Sequence, residues 1–151
     1  MGAKHSHKEL TLYDRLGGIY GIAAVVDDFS DRILKNGDVG RGSGNPQLRE
    51  WSNKKSAERL AGLKWLRTLW LAEVAGGPYK FVATKPGKCP LSLENAHSEF
   101  KITSHEFSTV ADILTETLQD HGVNEKDRSL VLAAFAAHRP EVTENKPPAK
   151  C

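Results

Sequence analysis

The residue in this sequence best suited to metal chemistry is His97. It lies in a short segment, residues 92–102, which Ser92 can cap at its start and which an amphipathic helix follows. A neutral imidazole nitrogen that is held rigidly in this way can bind a heme iron from one side of the porphyrin. The sequence therefore predicts an iron-ligating role for His97. A structural role is the alternative, because a lone histidine near apolar residues is commonly part of a core.

The overall composition predicts a single soluble domain. The chain has 151 residues, 26% of them charged, and its formal net charge of +2 is too small to indicate nucleic acid or an acidic membrane as a partner. No apolar run is long enough to span a bilayer, and the polar residues 1–10 do not resemble a cleavable signal peptide. The two cysteines, Cys89 and Cys151, are too few for a disulfide framework and form no zinc motif with histidine. We therefore expect a reducing, cytoplasmic location.

Helical periodicity predicts an all-α fold. Thr11 and Thr103 each precede an acidic residue by three positions, as in a capping box, and Asn124 can cap the last helix. The glycines at 17–18 and the Gly-Gly-Pro run at 76–78 interrupt the pattern and should separate helices. The apolar stripes with helical spacing lie within residues 19–33, 63–74, 107–118 and 130–135.

The same pattern predicts the domain boundaries. Residues 1–10 should form a flexible N-terminal segment, residues 11–140 the folded domain, and residues 141–151 a disordered tail that begins where Pro140 ends the last helix. Residues 36–46 carry four glycines and a proline and should form an open loop. Together with the polar residues 48–59, which can hold a short helix, they predict one long connection.

Five short motifs occur in a fixed order between residues 10 and 140. They are LYDRLGG at 12–18, VVDDF at 25–29, GGP at 76–78, AH at 96–97 with IT at 102–103 and Phe107, and GV at 122–123. Together these motifs resemble the group I truncated hemoglobins. The resemblance implies a truncated, two-over-two globin fold, a helical sandwich around heme b. It also implies that His97 is the proximal ligand of the iron, with its other ring nitrogen donating to a nearby acceptor.

The resemblance further implies which side chains contact the heme. Ser30 would lie on the side where the gas ligand binds, and Lys64, Arg67, Lys80 and Lys101 are candidates to pair with the heme propionates. These residue types also have ordinary roles in any helical protein, as core side chains or as solvated lysines. The other implied contacts are Phe29, Leu63, Trp70, Leu71, Tyr79, Phe100, Ile102, Phe107, Val110 and Leu114.

The predicted ligand side departs from the family pattern. Ser30 stands where the family commonly has a tyrosine, and its short hydroxyl would reach a ligand only through water. Arg67 stands where the family often has a glutamine, and burial of its charge without a partner would be costly. We therefore expect Arg67 to point to a propionate or to solvent rather than over the iron. Trp51 is the only aromatic residue between 36 and 59 and is a candidate contact there.

Three other histidines, His105, His121 and His138, lie at predicted helix ends and match no position on the ligand side. We therefore do not predict a second histidine ligand for the iron. His105 in particular, at the start of the helix after His97, is expected to be exposed.

These features predict a heme-binding globin that reversibly binds O₂, NO or CO, for oxygen transport, storage or sensing. The enzymatic alternative is a nitric oxide dioxygenase that uses bound O₂ and a reductase partner, although Ser30 is a poor donor for polarised oxygen. A heme-free interaction domain is the third class.

Gly2 and Ser6 fit the N-myristoylation pattern, and one acyl chain would add weak, reversible membrane association. The oligomeric state stays open.

Overall fold

The computed structural model describes residues 9–81 and 100–143, and the regular structure of these residues is helical, as predicted. The segment that carries His97 lies outside the described residues, as do residues 1–8 with Gly2 and Ser6, and both cysteines. The elements are α1 (Leu12–Arg15), α2 (Gly18–Lys35), α3 (Pro46–Glu50), a π-helical segment (Trp51–Lys55), α4 (Ser56–Val74), α5 (Ser104–Asp120), α6 (Glu125–Ala136) and α7 (Arg139–Thr143).

Individual hydrogen bonds confirm the three helix starts that the sequence predicts at Thr11, Thr103 and Asn124. At α1 and at α5, the capping threonine accepts from the backbone of the acid three residues on, and that acid accepts from the backbone of the threonine. Asn124 likewise accepts from the backbone N–H of Asp127 at the start of α6. Gly17 separates α1 from α2 with a left-handed φ of 92°, which glycine adopts without steric cost. Local sequence therefore determines where these helices begin.

The connection between α2 and α4 is more helical than the sequence predicts. Asn45 caps α3 through its side-chain oxygen, and Pro46 occupies the first turn, where its missing N–H costs nothing. Helix α3, the π-helical segment and α4 then follow one another without a break from residue 46 to residue 74. Only residues 36–45 lie between α2 and this helical run. The predicted open loop is confirmed over residues 36–45, and the short helix allowed for in residues 48–59 is present but continues directly into α4, so the connection is shorter than the predicted 36–59.

The core forms where α2 packs against α4 and α5, and α6 closes it by packing against α5 and α4. Helix α2 contributes the largest share, which confirms the apolar stripe predicted for it. A second, smaller cluster joins Ile102 and Phe107 to Val142 of α7. The core residues are Leu16, Ile22, Val25, Val26, Phe29, Val39, Leu71, Ala72, Ala75, Ile113, Leu114, Leu118 and Val131.

The C-terminal boundary also differs from the prediction. Pro140 does not end the folded domain, because it lies in the first turn of α7, where proline is tolerated. Val142 of this helix is 7% exposed and packs against Ile102 and Phe107, so the domain extends past residue 140. Leu130, which was expected on the buried face of α6, is instead 48% exposed.

Ion pairs connect α2 and α1 to the helices packed against them. Arg32 of α2 contacts Asp120 of α5 at 2.8 Å, and it also lowers the pKa of Asp28 through a side-chain hydrogen bond. Arg15 of α1 binds the buried carboxylate of Asp127 at 3.0 Å and lowers its pKa. These pairs connect elements that are distant in sequence.

No helix within the described residues is long and apolar enough to cross a membrane.

Candidate functional site

An apolar cavity of about 330 Å³ lies between the helices. Helices α2 to α7 and the π-helical segment all contribute wall residues, and residues in the loop before α3 and just before α5 complete the wall. A space of this kind, apolar and lined by several helices, is suited to a flat hydrophobic group. Eleven of the predicted contacts line it: Phe29, Ser30, Leu63, Arg67, Trp70, Leu71, Phe100, Ile102, Phe107, Val110 and Leu114.

Two predicted contacts, Lys64 and Tyr79, do not line the cavity. The ammonium of Lys64 binds Asp27 at 2.6 Å and Asp31 at 2.9 Å, so its charge is used between α4 and α2, where the two carboxylates raise its pKa. Tyr79 is 37% exposed and packs against Tyr13, with 6.4 Å between ring centroids. Contact of Lys64 or Tyr79 with heme therefore stays a prediction.

Arg67 is partly buried, and its guanidinium points towards the interior of the fold. Its Nη1 donates to Ser30 Oγ at 2.9 Å, and its guanidinium carbon lies 5.6 Å from the centre of the Phe29 ring. Ser30 is 1% exposed, so the hydrogen bond lies inside the fold, and both residues line the cavity. Burial lowers the pKa of Arg67 to about 10. The guanidinium is therefore not left free in solvent, because Ser30 provides an internal acceptor, and its pairing with a propionate stays a prediction.

Trp51, the candidate contact between residues 36 and 59, lines the cavity at the start of the π-helical segment. The cavity is also lined by residues that were not among the predicted contacts. Phe135 of α6 stacks on Phe107 at 4.7 Å between ring centroids, and its place in an apolar stripe was a usable signal. Val39, by contrast, comes from the glycine-rich loop, and no periodicity indicates its burial.

The three histidines at helix ends have separate environments. His105 is exposed, as predicted, and His121 lies 2.9 Å from Asp28 across the α2–α5 contact. His138 lies between α6 and α7 and lines the cavity, where its Nε2 accepts from Trp70 Nε1 at 3.2 Å. The position of His138 in the cavity wall could not be predicted, because it depends on how the C-terminal helices pack against α4.

Taken together, the walls fit heme better than a hydrated ligand. Aromatic and aliphatic side chains dominate, and the polar side chains of the wall are few. The sequence model of the bacterial-like globins matches residues 11–144. The chain belongs to the bacterial-like globin family. As a member of this family, the globin binds heme b and takes a diatomic gas as its ligand.

Individual relatives of this globin include truncated hemoglobins. It is 27% identical over 132 residues to the group 1 truncated hemoglobin GlbN of Mycolicibacterium paratuberculosis, an alignment that covers 87% of this chain and 83% of GlbN. Its fold is similar to that of the 2/2 hemoglobin of Synechococcus sp. PCC 7002, with a TM-score of 0.67, 21% identity, and coverage of 89% of this chain and 99% of the other. The group II truncated hemoglobin of Bacillus anthracis gives a TM-score of 0.67 at 20% identity and covers 95% of this globin and 96% of its own chain. The truncated two-over-two globin fold predicted from the sequence is thus confirmed.

Proposed function

We propose that this globin belongs to group I and reversibly binds O₂ or NO, for transport, storage or sensing, with Arg67 as the hydrogen-bond donor to the gas ligand. The observation that carries the proposal is the inward guanidinium of Arg67, held by Ser30 at the wall of an apolar cavity. A donor in such a surrounding acts strongly on a polarised ligand, because little water screens it.

Arg67 is better suited to this role than Ser30. The guanidinium has five N–H donors, and among the described residues it makes a single hydrogen bond, to Ser30 Oγ. The hydroxyl of Ser30 is an acceptor in that bond and orients the arginine. The missing tyrosine of the family pattern is thereby compensated by a side chain from the facing helix, α4.

The proposed iron ligand is His97. It precedes Phe100 by three residues, and Phe100 and Ile102 both line the cavity. Three extended residues span at most about 10 Å, so His97 is connected to the cavity wall by a very short length of chain. When bound, heme supplies the ferrous iron at which the gas ligand binds. Lys80 and Lys101, which are both exposed, stay as candidates to pair with the propionates.

The proposed location is the cytoplasm, with weak membrane association where Gly2 is acylated. The support is the sequence alone: two cysteines are too few for a disulfide framework, and the residues from Gly2 to Ser6 fit the acylation pattern. A reductase that returns the iron to the ferrous state is the proposed protein partner.

Replacement of Arg67 by leucine tests the donor role. We expect O₂ to dissociate about 10- to 100-fold faster, since a hydrogen bond from a charged donor contributes about 1.5–3 kcal/mol. Stopped-flow displacement of O₂ by CO measures the rate. Ser30→Ala, which keeps the guanidinium but removes its acceptor, should have a smaller effect. An O₂ dissociation rate that does not change in Arg67→Leu would contradict the proposal.

Nitric oxide dioxygenation is the second candidate function, and the position of Arg67 favours it. Ser30 alone is a poor hydrogen-bond donor to bound O₂, which argued against this function. The guanidinium of Arg67 provides a charged donor in the cavity. Rapid mixing of the oxygenated globin with NO, with nitrate as the assayed product, distinguishes the two functions. Fast conversion that is sustained by a reductase indicates catalysis, and slow conversion indicates ligand binding.

A further inference from the structure

Glu106 is a buried acid in the cavity wall that the proposed gas binding does not use. It lies in the first turn of α5, is 9% exposed and lines the cavity. Its Oε1 accepts from the backbone N–H of Thr103 at 2.9 Å and from Asn45 Nδ2 at 3.1 Å. These two bonds hold the carboxylate at the wall.

The second carboxylate oxygen of Glu106, Oε2, has no hydrogen-bond donor among the described residues. A carboxylate can accept on both oxygens, but both of the bonds above end at Oε1. No ion pair of the described residues includes Glu106. Arg139, near the same end of α5, donates to Ser104 and Ser108 instead. A buried carboxylate without a counter-charge is costly, so a positive charge in the cavity would stabilise it.

Asn45 fixes this arrangement from a third part of the chain. Its Nδ2 also donates to the backbone oxygen of Phe100 at 2.8 Å, and its Oδ1 accepts from the backbone N–H of Gln47 at 3.1 Å. One amide side chain thus joins the start of α3, the cavity wall before α5 and the carboxylate of Glu106. A charge that is held in this way acts strongly on its surroundings, because it does not reorganise when a nearby charge changes.

We propose that Glu106 sets the redox balance of the heme iron, because its negative charge stabilises the ferric state relative to the ferrous state. Ferric heme has one more positive charge than ferrous heme, and an apolar cavity screens the attraction between that charge and a carboxylate only weakly. The carboxylate therefore lowers the reduction potential of the globin. The ferrous form, which binds the gas, then depends more strongly on a reductase.

The test is the reduction potential of the heme in Glu106→Gln, measured by absorption during a spectroelectrochemical titration. Glutamine removes the charge, keeps an Oε1 acceptor and is suited to this position of a capping box. We expect the ratio of ferrous to ferric heme at a fixed potential to rise about 10-fold, which corresponds to about 59 mV for a one-electron couple. Glu106→Asp keeps the charge and should remain closer to the unaltered globin.

Glu116→Gln is the matched control. It removes a negative charge from the same helix, at an exposed residue that does not line the cavity, and should leave the reduction potential unchanged. Equal shifts in Glu106→Gln and Glu116→Gln would indicate an effect of net charge and overturn the role of Glu106. The infrared band of a protonated carboxyl group, present in the unaltered globin and lost in Glu106→Gln, would also overturn it, because a neutral side chain carries no such charge.

The role of Glu106 is independent of the donor role of Arg67. Arg67→Leu tests how fast O₂ leaves ferrous heme, whereas Glu106→Gln tests the equilibrium between two oxidation states without a gas ligand. An unchanged O₂ dissociation rate in Arg67→Leu would contradict the donor role and leave the role of Glu106 intact. An unchanged reduction potential in Glu106→Gln would overturn the role of Glu106 alone.

Discussion

Replacement of His97 by alanine is expected to abolish stable heme binding. If His97 is the only protein ligand of the iron, its loss leaves the heme held by apolar contacts with the cavity wall alone. Loss of a residue that merely orients a metal ligand costs 10- to 100-fold in affinity, so loss of the ligand should increase the rate of heme loss by about 100-fold or more. Transfer of heme to an excess of a heme-free acceptor globin, followed by absorption, measures this rate.

His105→Ala is the matched control for this experiment. His105 is exposed at the start of α5, and its replacement should leave heme retention unchanged. Free imidazole added to His97→Ala should restore part of the absorption spectrum, because it provides the missing nitrogen. Heme that is retained normally by His97→Ala, without imidazole, would show that another side chain binds the iron.

Replacement of Gly40 by alanine is expected to destabilise the fold by about 3 kcal/mol, near the upper end of single substitutions. Gly40 is buried where residues 36–45 return across the end of α2. An added Cβ would lie 2.2 Å from the carbonyl oxygen of Ile33 and 2.3 Å from that of Leu34. Both are backbone atoms of a helix end and cannot move aside as a side chain can. Chemical denaturation monitored by circular dichroism gives the free energy of unfolding.

Gly62→Ala is the control for this substitution. Gly62 lies inside α4, and an added Cβ would meet nothing within 4 Å. Since glycine is a poor helix former, this variant should be more stable by about 0.5–1 kcal/mol. Equal stability of Gly40→Ala and the unaltered globin would mean that the loop can move away from α2. The close approach seen here would then not be required for folding.

Much of the fold follows from local chemistry that the sequence displays. The capping boxes at Thr11 and Thr103 fix two helix starts, because the bonding groups are only three residues apart and need no tertiary partner. The apolar stripes correctly indicate which faces of α2 and α5 are buried. Most of the predicted heme contacts line the cavity. They lie on the apolar faces of their helices, and these faces point to the interior, where the cavity is.

Residues outside regular helical periodicity were harder to place. The π-helical segment changes the residue spacing per turn, so the position of Trp51 in the wall does not follow from a pattern of 3.6 residues. Val142 is buried because α7 packs against Ile102 and Phe107, whereas Leu130, on the apolar stripe of α6, is exposed. These contacts join parts of the chain that are far apart in sequence.

By itself, the sequence determined the all-helical class, the three helix starts at Thr11, Thr103 and Asn124, and the family, since each depends on short motifs or on their order along the chain. Only the tertiary structure decided the orientation of Arg67. Its neighbours on α4 place it at the edge of an apolar face, where the cost of burying a charge favours solvent. The packing of α2 against α4 brings the hydroxyl of Ser30 within 2.9 Å and reverses that preference. The reason is physical: the partner of a buried polar group is supplied by another element, and the sequence around the group does not contain it.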